Sequence, residues 1–310
     1  MRLALATVLL AGCLLLGAAA AGGSAARTTC FGAAARDPRH PCFNPSIAVS
    51  PAVADVDLVP ASPCKLTKDK PDPVCTFGTS AARARGAIAL VGDSHALHWR
   101  AAVDVVAKRN RWRGYSITAS GCFFSDAVRL MGAGPAEICV PWYRAAQRWF
   151  RDHPQVSTVF VSQNAPTPVT VQPGQTELGV KAAGFRAAWS ALPRTVKHVI
   201  VIRDTPASTE NTLPCDAAAV AAGTRPGPAC ATPVADVLHP DRAVQTVHAL
   251  HSRRYRAVDL TRFFCNARVC YPAIGGLLVY RDAFGHITVP FSTSLGPYLY
   301  RKVRTLLGSR

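Results

Sequence analysis

Ala87-Ile88-Ala89-Leu90-Val91-Gly92-Asp93-Ser94-His95 is the stretch on which the reading of this chain turns. Its apolar residues run without interruption, as in a strand buried on both faces. A helical pattern begins directly afterwards. Gly92 lets the backbone turn sharply there without a Cβ clash. Ser94 therefore stands at a strand-to-helix turn, which presents a hydroxyl nucleophile at the edge of a sheet. Four residues recur by chance, so this signal needs partners. Asp282 and His286, near the far end of the chain, are the carboxylate and imidazole that such a serine requires.

Outward from this turn, β-rich runs alternate with helical patterns. The expected strands are Ile88–Gly92, Tyr115–Ala119, Thr158–Ser162, Val199–Arg203 and Ala257–Leu260. The expected helices are Leu97–Arg109, Trp142–Asp152, Leu178–Leu192, Ala243–Ser252 and Leu295–Leu307. In the first helix, Leu97, Ala101, Ala102, Val105 and Val106 mark an inward face, and Arg100, Lys108 and Arg109 an outward one. Such alternation predicts a mainly parallel sheet with helices on both sides, an α/β fold of three layers. In such sheets the site lies beyond the carboxyl ends of the strands. Ser94, Ser120-Gly121 and Gln163-Asn164 all fall just past expected strand ends, so they share one edge.

A serine hydroxyl needs a base for its proton and donors for the oxyanion that forms. His286 is the candidate base, with Asp282 orienting its ring; the alternative is a turn-capping aspartate beside a surface histidine. The backbone N–H of Ser94, that of Gly121 and the side-chain amide of Asn164 are the candidate oxyanion donors. Gly121 and Asn164 also fit ordinary turn positions. His95 adjoins Ser94, but neighbours on a turn rarely face each other, so it is not the base. Asp93 is expected to hold the turn through backbone N–H groups, and His98 to be structural. Trp99, Trp142 and Trp149 suit a sugar ring but fit packing better at helical spacing.

The ends of the chain and its cysteines speak to location. Arg2, the apolar Leu3 to Leu16 and the small residues to Ala26 read as an export signal over residues 1–26, the alternative being an uncleaved anchor. Cys13 follows Leu10-Ala11-Gly12 as a lipidated cysteine would, yet apolar residues continue past it. The remaining cysteines of the 11 form five neighbouring pairs. These are Cys30/Cys42, Cys64/Cys75, Cys122/Cys139, Cys215/Cys230 and Cys265/Cys270, which outside the cytosol read as disulfides of unfixed connectivity. No Cys-x-x-Cys occurs, so no metal is expected. Residues 27–85, rich in Cys and Pro, read as an irregular stapled extension, and 86–310 as the main domain. The formal net charge of +17 comes without a nucleic-acid motif. It fits weak association with an anionic surface, or simply a solvated Arg-rich exterior.

Gly92-Asp93-Ser94-His95, Gly121, Asn164 and the late Asp282/His286 pair resemble, in order, the blocks of the SGNH (GDSL-like) hydrolase superfamily. Ser120-Gly121-Cys122, Arg203-Asp204-Thr205-Pro206 and Cys270-Tyr271-Pro272 leading to Val279-Tyr280-Arg281-Asp282 resemble most closely the SGNH domain fused to bacterial acyltransferase-3 proteins. The likeness covers roughly Gly86 to Gly308. It implies a flavodoxin-like α/β/α fold and a cofactor-free mechanism in which Ser94 attacks an ester carbonyl to form an acyl-serine. It further implies an exported bacterial esterase or O-acyltransferase acting on O-acylated, chiefly acetylated, cell-envelope saccharide. If acyl groups come from across a membrane, another protein, a membrane acyltransferase, would supply them, since that part is absent here. The alternatives are a non-catalytic module of the same fold that binds envelope glycan, and a structural envelope protein. Two departures stand out. The family's Asp-x-x-His becomes Asp282-x-x-x-His286, and the Asn block reads Val161-Ser162-Gln163-Asn164.

Overall fold

The computed structural model describes residues 30–40, 42–44, 47–58, 74–130 and 135–308. The expected export signal, Cys13 and Cys64 lie outside the described residues. Six strands form one sheet: β1 (Val74–Gly78), β2 (Gly86–Gly92), β3 (Trp112–Thr118), β4 (Val156–Ser162), β5 (His198–Ile202) and β6 (Tyr255–Val258). Their order is β1-β3-β2-β4-β5-β6, parallel throughout except that β1 runs antiparallel along β3. From β2 the chain moves to β3 on one side, then crosses to β4 on the other. This reversal opens a crevice at the carboxyl end of β2, where open α/β sheets bind their ligands.

Side-chain alternation along the strands builds two cores. Ile88, Leu90, Phe160, Ile200 and Ile202 face one way and pack with Trp99, Val103, Val106, Phe291, Leu295 and Leu299. Ala87, Ala89, Val91, Val159, Val161, Val199 and Val201 face the other way, against Phe150, Phe185, Trp189 and Val247. The covering helices are α1 (Ser94–His98), α2 (Arg100–Asn110), α3 (Pro135–Asp152), α4 (Glu177–Ser190), α5 (Thr212–Ala221), α6 (Arg242–Leu250) and α7 (Val289–Leu306). The result is the three-layer α/β arrangement expected. No helix among the described residues is long and apolar enough to cross a membrane.

Local differences have physical reasons. β1 was not foreseen in the Cys/Pro-rich segment; it is a short edge strand in which only Phe77 is buried, so its pattern is faint. The first helix is two: the chain breaks at Trp99, whose N–H reaches Ala96 O at 3.1 Å. That break turns the buried face of α2 to Ala102, Val103, Val106 and Ala107. Arg100, expected to face out, is 3% exposed, its guanidinium lying over the Phe77 ring. Trp99 and Trp149 are packing residues, edge-on to Phe264 and stacked on His153 respectively. Disulfides join Cys30–Cys42, Cys122–Cys139, Cys215–Cys230 and Cys265–Cys270. Cys75 is also disulfide-bonded.

Candidate active site

Gly92 closes β2 with φ +144°, and a Cβ built there would lie 2.0 Å from Ser162 O of β4. The chain can turn tightly into α1 only because this side chain is missing. Gly92→Ala is expected to cost about 2–4 kcal/mol, read as a lowered urea midpoint; an unchanged midpoint would refute the strain argument.

Beyond the turn, Asp93 is 1% exposed and caps α1. One carboxylate oxygen accepts the His95 N–H at 2.8 Å and the other the Asn164 N–H at 2.9 Å. A single side chain thus ties the Ser94 turn to the Asn164 block. Burial pushes its pKa up; the His95 charge and the two N–H groups oppose this without cancelling it.

Asp282 and His286 meet despite the extra residue between them. Asp282 folds its loop into a tight turn, with Oδ1 accepting the Phe284 N–H at 3.0 Å and the His286 N–H at 3.3 Å. Oδ2 is then left for His286 Nδ1 at 2.6 Å. Burial works against the Asp282 charge, but the His286 contact and these N–H groups outweigh it and hold the carboxyl below its ordinary range. The loop itself is clamped from the segment after β5. Ser208 Oγ donates to Asp282 O and accepts from Gly285 N, both at 2.7 Å, and Thr205 Oγ1 donates to Gly285 O at 3.2 Å.

Both ring nitrogens of His95 are engaged away from Ser94. Its Nδ1 contacts Asp204 at 2.6 Å and its Nε2 the Phe284 carbonyl at 3.1 Å. Burial alone would lower its pKa, but Asp204 and Asp93 outweigh this and raise it to about 9. At neutral pH the ring is a cation that donates from both nitrogens. Asp204 also accepts the Ala165 N–H at 2.7 Å, and its own N–H goes to Asp241, which caps α6. His98 sits behind, its ring 4.9 Å from His95 and 6.2 Å from His286. Burial first, and then the charge on His95, hold its pKa well below the usual value, so it stays neutral.

One polar cavity of about 250 Å³ is lined by Asp93, Ser94, His95, Ser120, Gly121, Arg129, Asn164, Thr167, Phe284 and His286. Every proposed site residue except Asp282 lies on its wall, and Asp282 stands directly behind His286. Among the described residues, no acceptor takes the Ser94 or Gly121 N–H, and neither the Ser94 hydroxyl nor the Asn164 side-chain amide has a hydrogen-bond partner. His286 Nε2 is buried and likewise unpartnered. Ser94 and His286 are thus not bonded to each other; such contacts commonly tighten only when substrate is bound. The arrangement offers a hydroxyl, a base nitrogen on an oriented ring and three donors around one void. That set suits attack on a carbonyl carbon and capture of the oxyanion.

Arg129 was not singled out from sequence, and no motif marks it. Asp204 and Thr205 lay in a block noted by resemblance, without a role. Their contacts join segments far apart in the chain, which neither spacing nor periodicity reveals.

Comparison with known proteins defines the class first. Residues 63–301 match the family described as SGNH domain (fused to AT3 domains). The chain therefore belongs to that family. Among solved structures it is similar to the periplasmic domain of a lipopolysaccharide acetyltransferase from Salmonella ser. Paratyphi A, with a TM-score of 0.52 and 12% identity over 73% of this chain and 90% of that one. It is also similar to a carbohydrate esterase family 2 enzyme with its carbohydrate-binding domain from Corynascus thermopiles (Myceliophthora fergusii). There the TM-score is 0.42 and the identity 12%, over 74% of this chain and 68% of that one. No curated protein sequence matched.

Proposed function

We propose that this protein is an extracytoplasmic serine esterase or O-acyltransferase acting on O-acyl, chiefly acetyl, groups of cell-envelope carbohydrate. The observation that carries this reading is the common cavity wall of Ser94 and His286, with His286 Nδ1 held by Asp282 and its Nε2 unpartnered. Ser94 Oγ attacks the ester carbonyl as His286 Nε2 takes its proton. The oxyanion of the tetrahedral intermediate is held by the N–H groups of Ser94 and Gly121 and by the Asn164 amide. Collapse expels the alcohol, which receives the proton from His286, and leaves acyl-Ser94. A second acceptor, activated by the same imidazole, then takes the acyl group: water gives hydrolysis, a sugar hydroxyl gives transfer. Asp282 stabilises the imidazolium in both halves. The family and the fold shared with the Salmonella acetyltransferase domain support the carbohydrate class. The disulfides favour an oxidising compartment outside the cytosol. A membrane acyltransferase that delivers acyl groups fits this reading as a partner.

A serine-directed fluorophosphonate tests the reading directly. The expected result is one adduct per chain, located by mass spectrometry on the peptide containing Ser94, with loss of turnover of p-nitrophenyl acetate. Turnover that survives full reaction, or an adduct elsewhere, would overturn the assignment of Ser94. Product analysis with added oligosaccharide then separates transfer from hydrolysis.

A further inference from the structure

We infer that Phe284 is the specificity residue of the site: its exposed ring is the platform on which the pyranose carrying the acetyl ester stacks. This rests on the acyl-transfer reading above and deepens it, since it names the part of the substrate that is held and the side chain that holds it. Phe284 is 75% exposed, more than any other large apolar side chain among the described residues. Lone exposed apolar side chains are ordinary on protein surfaces. This one stands on the wall of the cavity that also holds Ser94 and His286, and its ring centroid is 6.3 Å from that of His286. A sugar resting on it therefore brings its substituents beside that imidazole. Trp99, Trp142 and Trp149 are not on this wall, so Phe284 is the aromatic face the cavity itself offers.

The backbone of Phe284 is held on both sides. The peptide before it donates its N–H to Asp282 Oδ1 at 3.0 Å. The peptide after it is held at both ends, its carbonyl by His95 Nε2 at 3.1 Å and its N–H, that of Gly285, by Ser208 Oγ at 2.7 Å. These contacts shape the loop of His286 without the phenyl ring, which adds little buried area to the fold. The ring is left for a ligand, and its Cα is fixed in advance, which lowers the cost of ordering it on binding. The rest of the wall argues which part of an ester sits there. Among the described residues Phe284 is the one apolar side chain on it; Ser120 and Thr167 bring hydroxyls and Arg129 a guanidinium. A pyranose has a face of C–H bonds and a rim of hydroxyls. The electron-rich face of an aromatic ring attracts the first, and convergent polar groups meet the second. A long acyl chain is apolar all round and would bury those polar groups without partners. The wall therefore suits a sugar ring bearing a short acyl group.

The test compares wild type with Phe284→Ala, Phe284→Leu and Phe284→Trp on an O-acetylated methyl glucoside, ethyl acetate and ethyl butyrate. The readout is the ratio of kcat/KM for the sugar ester to that for ethyl acetate, in which any effect of a substitution on the shared chemistry cancels. In Phe284→Ala this ratio should fall about tenfold, mainly through the KM of the sugar ester, as loss of a binding contact requires. Phe284→Leu keeps apolar bulk without a flat face and should fall similarly, whereas Phe284→Trp should match or exceed wild type. The ratio of ethyl butyrate to ethyl acetate should stay within about twofold throughout. A sugar-ester ratio unmoved in Phe284→Ala overturns the inference. Full retention in Phe284→Leu overturns it too, because bulk rather than a ring face would then be what binds. A fall in the butyrate ratio assigns the ring to the acyl chain and overturns it as well. If Phe284→Ala fails to fold, the other two variants decide: a low ratio in Phe284→Leu with a high one in Phe284→Trp supports stacking, and equal ratios overturn it. Fluorophosphonate labelling of Ser94 in the wild type separates the two levels. No labelling rejects the acyl-transfer reading and this inference with it; labelling with indifferent Phe284 variants rejects only this inference.

Discussion

Ser94→Ala is expected to lower kcat on a small acetyl ester by at least about 10⁴-fold and to leave the thermal midpoint unmoved within about 1 °C. The two halves have separate causes. Ser94 Oγ bonds to nothing among the described residues, so removing it breaks no contact in the folded protein. Asp93, not Ser94, holds the turn, and it remains in the variant. The proposed chemistry, in contrast, loses its nucleophile outright. His286→Ala should cost a similar factor, because the hydroxyl without a base is a poor nucleophile at neutral pH. The double variant should be no slower than either single one, since the two groups act as a unit and what remains comes from the oxyanion donors and from binding. Asp282→Asn should cost about 10³–10⁴-fold by failing to orient the ring and stabilise its charge, while its remaining amide oxygen can keep the loop turn through Phe284 N–H and His286 N–H. Additive losses would mean that Ser94 and His286 serve different steps. No loss in Ser94→Ala would reject Ser94 as the nucleophile, and no turnover in the wild type would leave the glycan-binding module as the better account. Steady-state kinetics on the four proteins, with circular dichroism melts, decides among these.

The unusual Asp–His spacing was the feature that made a binding module worth weighing. Spacing is a proxy for geometry, and here the proxy misleads. An extra residue in a loop matters only if the loop cannot absorb it, and Asp282 absorbs it by accepting two N–H groups from its own turn. What the chain makes legible is whatever is written locally. Strand–helix alternation gave the layered fold, and a glycine before a serine at a strand end gave the turn. Three blocks past three strand ends gave one edge of the sheet, because a parallel sheet puts all its carboxyl ends on the same side. What it hides is written across the chain. Asp204 bonds His95 over 109 residues and Ala165 over 39. Arg129 resembles any other arginine in a chain with 35 Lys and Arg. Arg100 shows the same limit from the other side: its charge argued for solvent, yet the break at Trp99 rotates the helix and buries it beside Phe77. Long apolar stems allow arginine such positions, so charge alone does not place it outside.

Raising the pH through about 9 should loosen the link between the helix of Ser94 and the loop of His286, because His95 carries that link and its folded pKa is raised to about 9 from 6.5. A neutral imidazole has one N–H, and His95 faces two acceptors, the Asp204 carboxylate and the Phe284 carbonyl. Losing the proton leaves one of them without its donor, inside a region 3% exposed at His95. The sign follows from linkage. The folded state holds the proton more tightly than the unfolded chain, so the contribution is complete below about pH 6.5 and disappears as pH rises through about 9. Its size is on the order of 3 kcal/mol, from the displacement of the pKa to about 9. Asp204, Asp93, His98 and His286 surround the ring, and only the first two favour its charge. Other groups titrate at alkaline pH as well, so the measurement is a difference. Urea unfolding of wild type and His95→Gln from about pH 6 to about pH 10 should show the stability gap between them narrowing across this window. Esterase activity should fall in step in the wild type, since Phe284 lies in the turn that presents His286. A gap that stays constant with pH would mean that His95 is neutral when folded, with a single donor. The grip on the Asp282–His286 loop would then rest on Ser208 and Thr205 alone, and Ser208→Ala, which removes contacts to both Asp282 and Gly285, would become the variant that separates the two halves of the site.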